Sequence, residues 1–242
     1  MLTSTSTCLI TFAKMNTLKR ILRKIHRVTS KQLSFIRMKI RGIQYYPPNY
    51  VYFDDFNEDS VIIDVGCGYE AELSNHLIRI HKLHAFGVDP TKKHAPFLKN
   101  LEKVTKGKFS YLPVAVTRKD GLIEFHESRQ NESGSILSEH INIKNDDIIT
   151  YSVESVTLQE LVKRVGATPI DFIKLDIEGA EYELLSDISD QDINQFKQIF
   201  VEFHHHCTNH TAQETMLLVQ HIQSKGFKVF TLDRINYLFY RK

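Results

Sequence analysis

The sequence predicts an α/β fold in which a mostly parallel sheet carries helices on both faces. From residue 60 onward, short apolar segments typical of strands alternate with amphipathic segments of helical spacing. Only Asp233-Arg234 separates the last two strand-like segments, whereas a parallel pair needs a crossover of a dozen or more residues. The final strand is therefore predicted to run antiparallel to its neighbour. A chain of 242 residues has room for one such domain and an appendage.

The appendage is a basic helical N-terminal extension, predicted to span residues 1–53 and to precede a domain at 54–242. The extension holds ten Lys or Arg and no Asp or Glu, so the rest of the chain has 31 − 10 = 21 basic against 29 acidic residues, a formal net charge of −8. From about Asn16, apolar residues recur at helical spacings between basic ones. A basic amphipathic helix of this kind can lie on an anionic membrane, here through residues 16–41, although covering a core is the commoner use.

The other elements follow in chain order after the break at Pro47-Pro48. Seven strands are predicted, at 60–65, 84–88, 109–116, 170–175, 198–203, 227–232 and 235–240. Five helices are predicted, at 72–81, 92–105, 155–165, 180–188 and 211–225. Asp120-Gly121 predicts a turn into a hairpin arm at 122–125. The polar run at 128–147 predicts a long loop, and loops of this length are often functional.

Cysteine usage and hydropathy indicate the compartment. The three cysteines, Cys8, Cys67 and Cys207, are odd in number and widely spaced, which argues against a disulfide framework and favours a reducing environment. No apolar run approaches the ~20 residues that are needed to span a bilayer. We expect a cytoplasmic protein, held peripherally at a membrane if the basic extension binds lipid.

Two features predict a site for an adenosine cofactor. Asp64-Val65-Gly66-Cys67-Gly68-Tyr69 follows the first strand, where glycines let the backbone turn tightly and approach a ligand. Asp89 ends the second strand, where a carboxylate can accept hydrogen bonds from ribose hydroxyls. Both features are shared by sites for NAD and for S-adenosylmethionine. The structural alternatives are an ordinary strand-to-helix turn and an N-cap at Asp89.

The most distinctive segment is Lys174-Leu175-Asp176-Ile177-Glu178-Gly179-Ala180-Glu181. Side chains alternate along a strand, so Lys174, Asp176 and Glu178 are predicted to share one direction at the ligand-binding edge of the sheet. Three charged groups at this edge cost desolvation unless they have partners or a function. Acids that favour a helix N-terminus are the structural alternative for Glu178 and Glu181, and less easily for Asp176.

The next strand ends in Glu202-Phe203-His204, followed by further histidines. Glu202 and His204 are predicted to point the same way, and either group near an acceptor could remove a proton. The segment His204–His210 also contains zinc-ligand types, but adjacent residues diverge and no second ligand pair at finger-like spacing follows, so we predict no metal site there. A hard divalent ion held by Asp176, Glu178 and Glu202 is an alternative for this edge.

These motifs resemble the FkbM-type methyltransferases over about residues 60–205. The resemblance implies a Rossmann-like class I methyltransferase fold, with a seven-stranded sheet whose last strand is antiparallel. It implies binding of S-adenosylmethionine by Asp64, by the Gly66-Cys67-Gly68 turn and by Asp89. It places Asp176 near the sulfonium and the acceptor, and Ser135 in a serine-containing loop. The family often has Asn and a further Gly in its first loop, from which Cys67-Gly68-Tyr69-Glu70 departs.

The implied activity is O-methylation of a hydroxyl on a sugar, a glycan or a small natural product, with His204 as the preferred base beside Asp176 and Glu202. An NAD(P)-dependent oxidoreductase is the rival enzyme; it would share the glycine turn and Asp89, but it would not require the KLDIEGAE segment or the reversed last strand. A non-catalytic methyltransferase-like module that binds membrane through its basic arm is the other alternative. No nucleic-acid partner is expected, because the arm lacks clustered aromatic residues for stacking.

Overall fold

The computed structural model describes residues 32–144 and 146–241, which fall into two compact units at Met1–Gly42 and Ile43–Lys242. In the first unit, residues 32–40 form a helix, α1. The amphipathic helix predicted from Asn16 lies outside the described residues. None of the helices in the described ranges is both long and apolar enough to cross a membrane. All the elements below belong to the second unit.

The second unit contains thirteen strands and seven helices within its described residues. In chain order the strands are β1 (Ile43–Tyr46), β2 (Tyr50–Phe53), β3 (Val61–Val65), β4 (His84–Val88), β5 (Phe109–Leu112), β6 (Ala115–Val116), β7 (Gly121–Ser128), β8 (Gly134–Ser135), β9 (Ile148–Val156), β10 (Ile170–Leu175), β11 (Phe196–Glu202), β12 (Lys228–Thr231) and β13 (Asn236–Tyr240). The helices are α2 (Glu72–His81), α3 (Ala95–Val104), α4 (Ile141–Lys144), α5 (Leu158–Val165), α6 (Glu181–Ser186), α7 (Asp190–Ile193) and α8 (Ala212–Ser224).

The central sheet has seven strands in the order β12-β13-β11-β10-β3-β4-β5. The four pairs from β11 to β5 are parallel, and β13 is antiparallel to both of its neighbours. The predicted fold class is confirmed, including the reversed last strand. Because β10, β3 and β4 are adjacent, their carboxyl ends meet at one edge of the sheet, as in other open α/β sheets that bind ligands there.

The sheet is held by apolar side chains on both of its faces. Ile63 of β3, Leu175 of β10 and Ile199 of β11 are buried in one cluster with residues of α5, α6 and α8, such as Leu161. Leu73, Leu77 and Leu98, which belong to α2 and α3, are also fully buried but lie outside this cluster. The central strands are therefore covered on both sides, which explains their nearly continuous apolar sequence.

A second sheet, in the order β6-β9-β7-β8, was only partly predicted. The strand predicted at 109–116 is two strands, β5 and β6, which belong to different sheets. β9 pairs with β7 over eight positions, and it continues through Ser155 and Val156, where a helix was predicted to begin. α5 begins only after Thr157, whose hydroxyl accepts a hydrogen bond from Glu160 N. The predicted loop at 128–147 contains β8 and α4.

A short hairpin, β1–β2, occupies residues that the sequence analysis counted with the basic extension. Its four paired positions run from Ile43↔Phe53 to Tyr46↔Tyr50. The hairpin is fastened to the central sheet at Phe53, whose N–H donates to the Gln198 side chain and whose carbonyl accepts a hydrogen bond from it. The Tyr50 ring packs against Phe200 with ring centroids 5.8 Å apart, and this contact positions Tyr50 at the edge of the sheet where β3 and β10 end.

Candidate active site

A cavity of about 330 Å³ opens at the carboxyl ends of β3, β4 and β10. Six of the residues predicted to contact the cofactor or acceptor line it, namely Gly66, Cys67, Gly68, Asp89, Ser135 and Asp176. The structure thus brings the glycine turn, the second-strand acid and the KLDIEGAE segment together. Asp64, Glu202 and His204 are not part of the cavity wall. Tyr50, which the sequence analysis did not name, is part of it.

The glycine turn is packed directly against the backbone of Asp176. Gly66 has a φ of +72°, and a Cβ at this position would lie 1.7 Å from the carbonyl oxygen of Asp176. Hydrogen bonds fix the same junction, because Gly66 N donates to Val88 O at 2.8 Å and Asp176 N donates to Val65 O at 3.1 Å. Only glycine fits the first position of this turn.

Replacement of Gly66 by Ala is therefore expected to disrupt the site, while the same change at Gly68 is its matched control. Both residues have positive φ, which costs an L-residue about 1–2 kcal/mol. A Cβ at Gly68 meets no atom within 4 Å, so Gly68→Ala has only the backbone strain. We expect Gly66→Ala to lose considerably more stability and S-adenosylhomocysteine affinity than Gly68→Ala, as measured by thermal unfolding and calorimetric titration. Equal losses in the two variants would show that the clash with Asp176 is relieved.

Beneath the turn, Lys174 joins the two carboxylates of this edge. Its ammonium group lies 3.2 Å from Asp64 Oδ1 and 3.1 Å from Asp176 Oδ2, and it donates to Gly66 O at 2.8 Å. Burial opposes a charge on Lys174, but Asp64 and Asp176 outweigh it and raise its pKa well above the ordinary value. Asp64 also accepts a hydrogen bond from the Ser74 hydroxyl. The structure thus places Asp64 as a support below the turn.

Asp89 and His94 form the wall of the cavity next to β4. The Asp89 carboxylate accepts hydrogen bonds from Gly68 N and Thr91 N, each at 2.9 Å, and it lies 3.1 Å from His94 Nδ1. Burial opposes ionisation of Asp89, but His94 and Thr91 outweigh it and lower its pKa. The other nitrogen of His94 lies 3.1 Å from Glu132 in the predicted long loop. Sequence reasoning missed His94, because a single histidine near a helix start carries no distinctive signal.

On the opposite wall, the turn after Asp176 is organised by Glu181. Its two carboxylate oxygens accept hydrogen bonds from Ile177 N at 2.7 Å and from Gly179 N at 3.0 Å. Glu178 has a φ of +52° in this turn, and its carbonyl accepts a hydrogen bond from the Ser135 hydroxyl at 3.0 Å. Both Glu178 and Ser135 line the cavity. Glu181 was predicted as a helix N-terminal acid, and in the structure it satisfies these two backbone donors.

His204 lies among carboxylates at the end of β11. Its Nδ1 is 3.0 Å from Glu181, and its Nε2 is 3.5 Å from Asp176 and 3.7 Å from Glu178. Burial alone would lower the pKa of His204, but Glu181, Asp176 and Glu178 outweigh it and raise the pKa to about 10. An imidazole in this environment is protonated near neutral pH. A protonated imidazolium cannot accept a proton, so the surroundings of His204 disfavour the base role that the sequence analysis preferred for it.

Glu202 has the electrostatics that a base requires. It is the last residue of β11, and burial together with the charge of Asp176 raises its pKa from 4.5 to about 7. None of the described residues donates a hydrogen bond to its carboxylate. A group that titrates near the working pH is well matched to proton transfer. Glu202 and His204, which were predicted to point the same way, both interact with Asp176.

Three potential metal ligands, His140, Glu178 and Cys207, lie within 4.8 Å of one another. His140 Nε2 is 2.7 Å from Glu178 and 3.1 Å from the Cys207 sulfur. However, His140 Nδ1 accepts a hydrogen bond from Asn142 N, so Nε2 carries the proton and donates it to this pair. A metal at Nε2 would require the opposite tautomer. The group is therefore satisfied as a hydrogen-bond cluster.

Two of the remaining histidines after β11 have partners that do not line the cavity. His205 Nδ1 lies 3.0 Å from the Thr215 hydroxyl, and His210 stacks on Tyr182 with ring centroids 3.8 Å apart. Their different partners agree with the reasoning that adjacent residues here do not converge on one ion. Two of the three carboxylates considered for a hard divalent ion are engaged elsewhere, Asp176 with Lys174 and Glu178 with His140.

The chain is similar in sequence to one curated protein and to a family model. The chain is 28% identical over 142 residues to the 2-O-methyltransferase NoeI of Sinorhizobium fredii (strain NBRC 101917 / NGR234), a match that covers 53% of this chain and 57% of that protein's length. Similar solved structures include M. capricolum TrmK in complex with S-adenosyl-homocysteine. The match is 16% identical in sequence, covers 76% of this chain and 62% of that chain, and has a TM-score of 0.38. Another is the Methanococcus jannaschii fibrillarin pre-rRNA processing protein, which is 12% identical over 83% of this chain and 70% of that chain, with a TM-score of 0.44.

A family model gives the assignment. Residues 67–229, well over half of the chain, match the model of the methyltransferase FkbM domain. The chain therefore belongs to the FkbM methyltransferase family.

Proposed function

We propose that this protein transfers the methyl group of S-adenosylmethionine to a hydroxyl oxygen of a sugar, a glycan or a small natural product. The observation that carries the proposal is the charge of the cavity. Six acidic residues line it, namely Glu70, Glu72, Asp89, Glu132, Asp176 and Glu178. Among the described residues that line it, Lys174 is the only Lys or Arg, and it is buried and paired with two carboxylates.

This charge distribution separates the two cofactors that share a glycine turn and a second-strand acid. A sulfonium is a cation and is stabilised by carboxylates, whereas the pyrophosphate of NAD(P) is an anion and would be repelled by them. In this proposal Asp89 accepts hydrogen bonds from the ribose hydroxyls, and the Gly66 turn holds the methionine end. Val114, Val116, Phe125 and Ile136 form an apolar part of the lining that suits an adenine ring. Bound S-adenosylmethionine supplies an electrophilic methyl carbon at this site.

Glu202 is the proposed base for the acceptor hydroxyl. It lies off the cavity wall, so the acceptor proton reaches it by way of its neighbour Asp176, which lines the cavity. The pKa of Glu202, about 7, lets this group take up a proton at neutral pH, and Asp176 beside it can orient the acceptor. The protonated His204 holds Asp176 and Glu178 in place by its charge. Proton removal and the alignment of acceptor oxygen with methyl carbon are what these side chains contribute, and such alignment is worth roughly 7–11 kcal/mol of the barrier.

The acceptor class has two supports. The name of the relative NoeI, a 2-O-methyltransferase, specifies methylation on oxygen. The cavity lining contains groups that bind hydroxyls, namely Glu132, Ser133 and Ser135. A hydroxyl-rich acceptor can exchange hydrogen bonds with each of them.

Calorimetric titration of the purified protein tests the cofactor. We expect S-adenosylhomocysteine to bind and NAD(P) to show no heat of binding at the same concentrations. Binding of NAD(P) in preference would overturn the proposal in favour of an oxidoreductase. If neither S-adenosylhomocysteine nor NAD(P) binds, the result would favour the non-catalytic module.

Incubation with labelled S-adenosylmethionine and candidate glycans, with and without a chelator, then tests the acceptor and the metal. Label that is stable to conditions that cleave methyl esters would support transfer to a hydroxyl oxygen. Loss of transfer on chelation, with recovery on adding back a divalent ion, would assign an ion to the reaction. Equal transfer in both samples would exclude that role for the ion.

A further inference from the structure

α1 carries a row of apolar side chains that face solvent. Leu33, Ile36 and Ile40 are 53%, 54% and 80% exposed. Their spacing of three and four residues places them on one side of the helix. Scattered exposed apolar residues are common, but three on one face of a nine-residue helix form a continuous stripe.

The stripe is accompanied by positive charge alone. Arg37, Lys39 and Arg41 are exposed beside it, and no Asp or Glu occurs anywhere in residues 1–53. The sequence from 16 to 31 continues the same mixture of apolar and basic residues. A helix with an apolar stripe and a basic remainder has the composition of an interfacial helix.

We propose that α1 is part of a surface that docks on an anionic lipid bilayer. The apolar stripe would enter the headgroup region while the cations remain at the phosphates, each contributing through the surface potential of the membrane. This inference is independent of the proposed methyl transfer, since it rests on residues outside the cavity.

The same features argue against other occupants. Nucleic acid would engage the cations but leave Leu33, Ile36 and Ile40 in water, and Phe35, the only aromatic residue of α1, is not among the exposed side chains available for stacking. A second copy of the chain would bring two uncompensated basic surfaces together, which like-charge repulsion opposes. An anionic bilayer satisfies both the apolar stripe and the charge.

Co-sedimentation of the full chain with vesicles tests the proposal. Vesicles of phosphatidylglycerol and phosphatidylcholine are compared with vesicles of phosphatidylcholine alone, at low and high salt. We expect the anionic vesicles to bind at least tenfold more protein, and binding to weaken with salt because the cations are screened. No binding to the anionic vesicles, or equal binding to both kinds, would refute the proposal.

Two triple variants separate the two contributions. Leu33→Ser with Ile36→Ser and Ile40→Ser removes the stripe, and Arg37→Glu with Lys39→Glu and Arg41→Glu reverses the charge. Each is expected to lower vesicle binding at least tenfold while S-adenosylhomocysteine binding is retained. Leu122→Ser, at an 80% exposed apolar residue of β7, is the matched control and should bind like the wild type. Retained vesicle binding in both triple variants would contradict the proposal, as would tighter binding of the wild type to RNA than to the anionic vesicles.

Discussion

Replacement of Glu202 by Gln is expected to lower turnover by roughly 10²–10⁴-fold, the usual contribution of a positioned general base. Glutamine keeps the shape of the side chain, but its neutral amide cannot take up the proton of the substrate hydroxyl. The pKa of Glu202 is raised to about 7, and the carboxylate form is the active one. The wild-type kcat/KM should therefore rise with pH through about 7, and this rise should vanish in the variant. A steady-state pH profile measures both effects.

The matched control for this variant is Glu183→Gln, which changes an exposed glutamate on α6. It should retain wild-type turnover and the wild-type pH profile. A Glu202→Gln enzyme with unchanged kcat and an unchanged pH profile would remove Glu202 from the mechanism. The base would then have to be sought at Asp176.

Stability gives an independent readout of the same residue. A pKa raised from 4.5 to about 7 means that the folded state disfavours the charged form of Glu202. The wild type loses stability as pH rises from 4.5 through 7, and Glu202→Gln escapes this loss. Above pH 7 the variant should be more stable by about 3 kcal/mol, as measured by urea unfolding. Lower activity together with higher stability would distinguish a lost base from a damaged fold.

The second large effect is expected at His204. Replacing it with Ala leaves Asp176, Glu178 and Glu181 without their shared positive charge. Removing one partner from a buried ion pair typically costs about 3–5 kcal/mol. We expect a loss of this size in the free energy of unfolding near neutral pH. The control is His206→Ala, which changes the exposed neighbouring histidine and should unfold like the wild type.

The pH dependence of this loss has a definite sign. The pKa of His204 is raised from 6.5 to about 10, so its charge stabilises the folded state fully below pH 6.5. The contribution declines as pH rises through 10, where the folded protein also loses the proton. The difference between wild type and His204→Ala should therefore be largest below pH 6.5 and should shrink toward pH 10. A difference that grows with pH would mean that His204 is neutral in the folded protein.

Elements whose sequence carries one strong period were predicted to the residue. α2 and β10 have the predicted bounds, Glu72–His81 and Ile170–Leu175, as does β4. α2 has an amphipathic pattern whose apolar side is buried, and the two strands are short apolar runs in a covered sheet. In these segments local preference and tertiary environment agree, so pattern alone is sufficient.

Most of the second sheet, apart from the hairpin arm at 122–125, could not be predicted, because its strands are half exposed and lack a clear period. β9 carries Ile148 and Ile149 in succession, both partly exposed, and its stability comes from pairing with β7. β1 and β2 are four residues each, and Pro47-Pro48 between them indicated only a break. Pairing of this kind depends on partners that are distant in the sequence.

The cavity residues divide in the same way. The Gly66 turn follows β3, Asp89 follows β4 and Asp176 follows β10, and these three strands are adjacent in the sheet. The order of the predicted strands was therefore enough to place the three features at one edge. His94, Tyr50 and the partners of His204 depend on side-chain directions across loops, which sequence periodicity does not encode. The protonation of His204 in particular needs three carboxylates from another segment to be located around it.

The hairpin that carries Tyr50 and the segment that carries Glu132 and Ser135 both reach the cavity from outside the central sheet. Tyr50 borders the buried charges below the Gly66 turn, because its ring lies 5.6 Å from the Lys174 ammonium group, so the second segment is the one that can be varied without touching them. If the proposed function holds, a combinatorial library restricted to the segment with Glu132 and Ser135 would keep the Gly66 turn constant while it varies the acceptor preference, since loops tolerate changes that a packed scaffold does not.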